Sequence, residues 1–192
     1  IGALLPIPYV RGPGGGAHTT PKSLEKEYPL GGRLWEKIRS RGQWLFRHDP
    51  FFLRGQGRAI ALLLCNWDSI SKVPQKWSHK VHLFPVSGIS SADLSLTASV
   101  RAPHQQFDIL TAGSLLRIKG FGLAIKAFKL FADRHLESRL IIAGSGPEEP
   151  RLRDLIRREN LEDRIEFLGE IPRENLLCQM ASSDVILFPS LR

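Results

Sequence analysis

Cysteine, methionine and long apolar runs are what this chain has least of. Its 192 residues hold 2 Cys and 1 Met. Cys65 and Cys178 lie far apart in apolar contexts, which fits buried free thiols rather than a disulfide framework. No Cys/His group has metal-ligand spacing, so no structural zinc and no other metal site is expected. The longest apolar run, around Ile60–Cys65, is far too short to cross a bilayer. No glycine loop continues into Gly-Lys-Ser/Thr, which excludes a Walker-type nucleotide loop. GSGPEEP at 144–150 lacks the third glycine of GxGxxG, and no acidic residue ends the next apolar run, IEFLG. A dinucleotide-dependent oxidoreductase is therefore disfavoured. Signal peptide and low-complexity tract are missing as well. The chain begins with Ile1 rather than Met, and Arg192 follows a strand-like stretch directly. Both suggest a fragment, so the missing signal says little about targeting.

What is present is ordinary in bulk and uneven in charge. Hydrophobic residues are 42% and charged residues 24%, ordinary values for a soluble globular protein. The formal charge is +8, and residues 1–100 carry most of it, with 13 Lys and Arg against 6 Asp and Glu. Residues 101–192 are nearly balanced, 14 against 13. A basic half suggests an acidic partner, such as an anionic membrane surface or a phosphorylated acceptor. The plainer reading is a solvated basic helix face around Arg33, Lys37, Arg39 and Arg41. Nucleic acid is not indicated, since no module signature accompanies the charge.

The chain is organised around Phe107–Gly120, FDILTAGSLLRIKG. It reads as a buried strand, Phe107–Ala112, that enters a glycine turn at Gly113. A short loop with Arg117 and Lys119 follows, and Gly120 opens a helix. Such a helix end offers free N–H groups and partial positive charge to an anion. Lys119 adds a full charge, and glycine lets the backbone come close. The helix shows Ala124, Ala127, Phe128, Phe131 and Ala132 at i, i+3, i+4, i+7, i+8, one apolar face. Arg139–Ala143 is the next strand and ends in GSGP. A helix with Pro150 in its first turn buries Leu152, Leu155 and Ile156. IEFLG, Ile165–Gly169, is a third strand. A helix from Pro172 turns Leu176, Leu177, Met180 and Ala181 inward, and VILFPS is a fourth strand. This β-α-β-α-β-α-β order predicts a doubly wound sheet, with Gly113, Gly144, Gly169 and Pro189 on the carboxyl edge where ligands sit.

Before residue 100 the same alternation is looser. GPGGG at 12–16 reads as a loop able to approach a ligand, with Arg11, His18, Thr19 and Thr20 beside it. Leu34, Trp35, Ile38, Leu45 and Phe46 mark a helix with basic residues between them. PFFLRGQG follows, with Asp49 as N-cap and Pro50 at the first position. IALLLCN fits a strand buried on both faces, NWDSISKVPQKW a short helix ended before Pro74, and VHLFPV a further strand. SGISSADL turns at Gly88. Residues 95–106 are polar and aperiodic and read as a linker.

On AGSLLRIKG, GLAIKAFKLFA, LIIAGSGPEEPRL, DRIEFLGEIPRENLL and SSDVILFPS, taken in order, residues 107–190 resemble the first part of the donor-binding domain of GT-B glycosyltransferases, glycosyltransferase family 4 (group 1). Residues 1–94 resemble the later part of that family's acceptor domain, through GPGGG and VHLFPVSGISSADL. The resemblance implies a GT-B type α/β fold of two Rossmann-like doubly wound domains, both incomplete here. Residues 1–100 would be the acceptor-side domain with linker, and 101–192 the donor-binding domain. It implies metal-independent transfer, with retention, of a sugar from a UDP or GDP sugar to an acceptor hydroxyl. The acceptor would be lipid-linked or a polysaccharide, and the setting cytoplasmic, at the inner face of the membrane. No cofactor beyond the donor is implied.

Carried over by position, Gly113 and Lys119 match the turn and the cation that meet the donor diphosphate. Gly144 and Gly146 match a second glycine loop near the nucleotide, and Leu168 and Gly169 the strand end beside the base. Gly14, Gly15 and His18 stand as an acceptor-side loop. The family's arginine after the first glycine is Ser114 here, and Arg117 is the candidate replacement. Losing one bidentate phosphate contact costs about 1.5–3 kcal/mol if nothing substitutes. The family's glutamate pair would follow Ser190, and its active-site histidine would precede Ile1. The catalytic residues are therefore unknown, and the 192-residue chain alone is expected to transfer little or no sugar. Two other readings stay open: a GT-B-type sugar-nucleotide epimerase or phosphorylase, and a non-catalytic anion-binding module. Phosphate-dominated binding would weaken steeply with salt.

Overall fold

The computed structural model describes residues 4, 6–15, 18–88, 90–97 and 106–191. It divides into two compact units, Ile1–Pro21 with Pro29–Gly88 and Lys22–Tyr28 with Ile89–Arg192.

The first unit runs β1 (Val10–Gly14), α1 (Leu30–His48), α2 (Pro50–Arg58), β2 (Ala61–Leu64), α3 (Trp67–Ile70) and β3 (Val81–Leu83). Its three strands are parallel in the order β1-β2-β3. The glycine stretch expected as a loop instead completes β1, because Gly12–Gly14 pair alongside β2 with a register shift after Arg11. A Cβ on Gly12, at φ +136°, would stand 2.4 Å from the Leu63 carbonyl oxygen. Only a glycine lets the strand ride this close at that φ. Gly16, the last glycine of the stretch, lies outside the described residues. The strand expected to be buried on both faces has only Leu62 buried. The short α3 packs against β2 and β3 and covers little of them.

α2 starts as its sequence predicts: Asp49 Oδ1 accepts from the Phe52 N–H at 2.7 Å, and Pro50 occupies the first turn. α1 departs from expectation. Its inward residues are Gly32 and Glu36. Glu36 accepts from Thr20 Oγ1 at 3.2 Å and from Arg39 Nε at 3.0 Å. The five apolar residues that mark the helix all point to solvent. The polar side is the one tied down.

The second unit opens with α4 (Ser91–Thr97), so residues 95–97 of the expected linker are helical, while 98–105 lie outside the described residues. Next come β4 (Phe107–Ala112), α5 (Phe121–Ala132), β5 (Ser138–Ala143), α6 (Glu149–Arg158), β6 (Ile165–Gly169), α7 (Arg173–Ser182) and β7 (Val185–Ile186). The four strands are parallel in the order β6-β5-β4-β7. On one face α5 and α6 bury Phe121, Ile125, Phe128, Leu152 and Ile156 against Ile109, Leu140 and Ile142. On the other face Leu176 and Met180 of α7 pack on Leu110, Ile141 and Ala143. Each fully buried large side chain contributes about 1.5–3 kcal/mol. The inward face of α5 differs by one step from the periodic reading: Ile125 is buried and Ala127 is exposed. Alanine fits either side of such a helix, and the isoleucine's larger area decides the rotation.

The last strand is shorter than VILFPS suggests. Its start is fixed by Asp184, whose N–H donates to the Asp108 carbonyl at 2.9 Å and whose Oδ2 accepts from the Asp108 N–H at 2.9 Å. Asp108 in turn receives both Nε and Nη2 of Arg139, at 3.1 and 2.8 Å. That bidentate contact holds the guanidinium pKa above its ordinary value. Both cysteines are free, and both are half-buried rather than buried.

Candidate functional site: the carboxyl edge of the second sheet

In this sheet the chain winds β4, β5, β6 in one direction, then crosses back to lay β7 on the other side of β4. The strand order reverses between β4 and β7, and the carboxyl ends at such a reversal are where doubly wound sheets take ligands in a crevice. Five of the residues singled out in the sequence meet along this edge. Gly113 follows β4, Gly144 and Gly146 follow β5, and Leu168 and Gly169 close β6.

The loops are stitched to one another by backbone. The Gly113 N–H donates to the Ala143 carbonyl at 2.9 Å, Leu115 N–H to Ser145 at 2.8 Å, and Glu148 N–H to Leu115 at 3.1 Å. The Gly144 N–H reaches the Gly169 carbonyl at 2.6 Å. A Cβ on Gly144, φ +136°, would stand 2.0 Å from the Gly113 oxygen. One on Gly146 would stand 2.7 Å from the Leu115 oxygen. Gly113 is different. Its φ of +142° favours glycine, yet nothing lies within 4 Å of where its Cβ would be. The backbone there faces open space, room for a ligand to touch main chain.

The wall on the β7 side is joined to the same loop. Arg117–Lys119 form one 3-10 turn, and Gly120 then adopts the left-handed conformation at φ +71°. The Leu191 N–H donates to the Ile118 carbonyl at 2.8 Å, and Ser190 Oγ to the same oxygen at 3.2 Å. A Cβ on Gly120 would stand 2.0 Å from the Pro189 oxygen. Gly120 thus serves close approach of two chain segments as well as entry into α5. α5 begins with no side-chain cap, so no side chain answers the partial positive charge of its first turn.

The cations divide. Lys119 is exposed, and among the described residues its ammonium meets no carboxylate. Arg117 is paired: its Nε donates to Glu148 Oε1 at 3.0 Å. Arg151 Nε donates to Glu148 Oε2 at 2.6 Å. Glu148 is buried between them, a feature sequence reading could not reach, because its two partners come from another loop and from the next turn of α6. Ser114 is exposed and offers a hydroxyl where a cation was looked for. Leu168 is half-buried and, like Ile171, Leu176 and Met180, packs against the cluster of Leu110, Ile141 and Ala143 on the α7 face.

The acceptor-side residues lie in the first unit. Gly14 lines a hollow of about 290 Å³ with Arg11, Gln56 and Leu64. Gln56 Oε1 is buried there without a hydrogen-bond partner among the described residues. Burial holds the Arg11 pKa below its ordinary value, and the guanidinium stacks 4.1 Å from the Phe52 ring centroid. Gly15 follows the strand. The His18 carbonyl accepts from Arg39 Nη2 at 3.4 Å, and the hollow's lining does not include His18. Among the described residues, no group of three His, Cys, Asp or Glu side chains is placed to hold a metal ion.

Two parallel α/β units, the second with a glycine-lined switch-point crevice, are the architecture of the GT-B fold. WaaG, a glycosyltransferase involved in lipopolysaccharide biosynthesis, superposes on 95% of this chain and 52% of its own, with a TM-score of 0.57 at 17% identity. HepE of Anabaena, solved with UDP and glucose, matches 71% of this chain and 40% of its own, TM-score 0.54 at 19% identity. The family model for glycosyl transferases group 1 matches residues 95–192, and the chain belongs to that family. WcaL of Salmonella typhimurium, a glycosyltransferase provisionally assigned to colanic acid biosynthesis, is 36% identical over 93 residues, 48% of this chain and 23% of its own length. The chain thus matches about a quarter of that relative.

Proposed function

We propose that the chain carries the donor-binding part of a family 4 glycosyltransferase that moves a sugar, with retention and without a metal, from a UDP or GDP sugar to an acceptor hydroxyl. Residues 101–192 hold the donor and residues 1–100 belong to the acceptor side. The observation that carries this reading is the β4–β7 crevice. An unpaired Lys119, an uncapped helix end and the open backbone at Gly113 all lie on the one segment that joins β4 to α5 there. A departing nucleoside diphosphate gains charge on its distal phosphate, and preorganised donors of this kind stabilise it. Lys119 and the α5 N-terminus take the diphosphate. Ser114 and the outer nitrogens of Arg117 flank it, while Gly144 and Gly146 bring main chain close to the nucleotide. Leu168 and Gly169 stand on the base side. The UDP held by HepE, a protein of like fold, supports the choice of donor. The acceptor, a lipid-linked sugar or a polysaccharide, meets the hollow at Gly14 and Gln56, and the protein works at the inner face of a membrane.

Calorimetric titration with UDP, GDP and NADH tests the donor assignment. Saturable binding of UDP or GDP, competed by pyrophosphate, with none of NADH, is expected. Binding of neither diphosphate overturns it. Proton NMR of the product made by the full-length protein reads retention directly.

A further inference from the structure

We propose that the hollow of the first unit binds a uronate, the acidic sugar residue of an anionic acceptor. This rests on the acceptor side of the preceding reading and names the chemistry of what it takes. The hollow holds two polar groups that the fold leaves unanswered. Gln56, on α2, has its Oε1 buried with no hydrogen-bond partner among the described residues. A buried oxygen left in that state costs the fold stability unless a ligand or water answers it. Arg11, on β1, is half-buried and meets no carboxylate among the described residues. Its Nη1 donates to the Phe52 carbonyl at 3.4 Å, and its guanidinium carbon lies 4.1 Å from the Phe52 ring centroid. The stacking fixes the plane of the guanidinium, and its other donors have no partner among the described residues. Both side chains line the one hollow of about 290 Å³, yet Arg11 does not donate to Gln56 Oε1. A ligand that answers both brings an anionic oxygen for Arg11 and an O–H or N–H for Gln56.

Charge and size select the ligand. Among the described residues Arg11 is the one cation of the lining, and no acid lines the hollow. A carboxylate brings one negative charge to one guanidinium and meets its fork with paired N–H donors. A phosphate monoester brings close to two charges, and the excess would sit unneutralised in half-buried ground. An amino acid would bring an ammonium group with no acid to receive it. A neutral hexose would leave Arg11 unanswered. Leu64 and Val73 give the hollow an apolar side, suited to the C–H face of a pyranose. Ligand sites run from roughly 300 to 1,000 Å³, so this one has room for a single ring and none for a nucleotide. A uronate carries a carboxylate and several hydroxyls on one ring of that size.

Titration of the full chain with methyl glucuronide, methyl glucoside, acetate and inorganic phosphate, followed by NMR, tests the proposal. The glucuronide shifts the Gln56 side-chain amide signal saturably and binds about tenfold more tightly than the glucoside. Arg11→Gln brings its affinity down to that of the glucoside, whose own binding changes little. Gln56→Glu sets a carboxylate in the hollow with Arg11, so the ligand's acid is excluded and saturation transfer to the glucuronide disappears. Circular dichroism checks that both variants stay folded. No glucuronide binding, equal binding of glucoside and glucuronide, or an unchanged affinity in Arg11→Gln overturns the proposal. Acetate binding as tightly as the glucuronide also overturns it, since the hollow would then take any small acid. Tighter binding of phosphate overturns it as well and makes a phosphorylated acceptor the occupant. UDP added to the same samples separates this proposal from the donor reading: UDP bound without the glucuronide refutes the uronate site alone, and the glucuronide bound without UDP refutes the donor site alone.

Discussion

Replacing Lys119 by alanine isolates the charge at the centre of the proposed donor site. The side chain is exposed and has no carboxylate partner among the described residues, so the substitution leaves the fold alone. The melting temperature should stay within about a degree, as for most surface substitutions. Nucleotide affinity should not. A charge-assisted hydrogen bond from an ammonium to a phosphate oxygen is worth about 1.5–3 kcal/mol where water is excluded. Lys119 sits in an open crevice, where screening reduces the value. About 1.4 kcal/mol remains, a tenfold rise in the Kd for UDP or GDP. Isothermal titration at low and moderate salt measures it, and the gap between wild type and variant narrows as salt increases. Lys119→Arg recovers most of the loss. If Lys119→Ala binds UDP and GDP as the wild type does, the phosphate assignment is wrong, whatever the remaining loops do.

Four further outcomes follow from the geometry. Ser114→Arg places a second cation at the crevice on an exposed site; titration should show UDP binding tightened by a few-fold with little change in melting temperature. Gly144→Ala drives a Cβ to 2.0 Å from the Gly113 oxygen at a φ of +136°, and denaturant unfolding should show a loss above about 3 kcal/mol. Glu148→Gln strips the carboxylate that Arg117 and Arg151 share. Both arginines are about half exposed, at 50% and 45%, which holds the expected loss to about 1–2 kcal/mol by the same measurement. Asp93 accepts from Arg173 Nη2 at 2.9 Å, joining α4 to α7. The hydrogen bond from Arg173, then those from Ser90, lower its pKa from 3.8 to about 2. A depressed carboxylate stabilises the fold above its unfolded pKa, so the contact is complete above about pH 4 and is lost as pH falls toward 2. Carboxyl chemical shifts of Asp93 followed through that window check the direction, and Arg173→Gln should return the midpoint toward the ordinary carboxylate value.

The second unit was legible because its signals are local and agree with one another. β4 and β6 run over the residues that periodicity and glycine punctuation assign, and each strand end carries the expected turn. The first unit was harder. The apolar set of α1 announces a helix correctly, but periodicity names a face without saying which way it points. That direction depends on Glu36 finding Thr20 and Arg39. The glycines of β1 look like a loop because glycine is rare in strands. Their reason is the Leu63 carbonyl on the neighbouring strand, which no reading of 12–16 alone can supply. At the candidate site the turn and the lysine were visible. The capture of Arg117 by Glu148 and the packing of Gly120 on Pro189 were not, since 31 residues separate the first pair and the second depends on how β7 returns to the sheet.

The stitching of the carboxyl edge has a consequence for how such a site can change over time. The bonds that join the loops after β4, β5 and β6 run largely between main-chain atoms, with side-chain ties from Arg117 to Glu148 and from Ser145 to Glu170, so the platform depends on where glycines stand and on these ties, and hardly at all on the side chains of Ser114 and Lys119. Ser114 occupies its place without a structural duty, and so does Lys119. A lineage can therefore trade the groups that greet a donor, one position at a time, over a floor that stays put. Selectivity is cheap to revise here, while the glycines beneath it are nearly immovable.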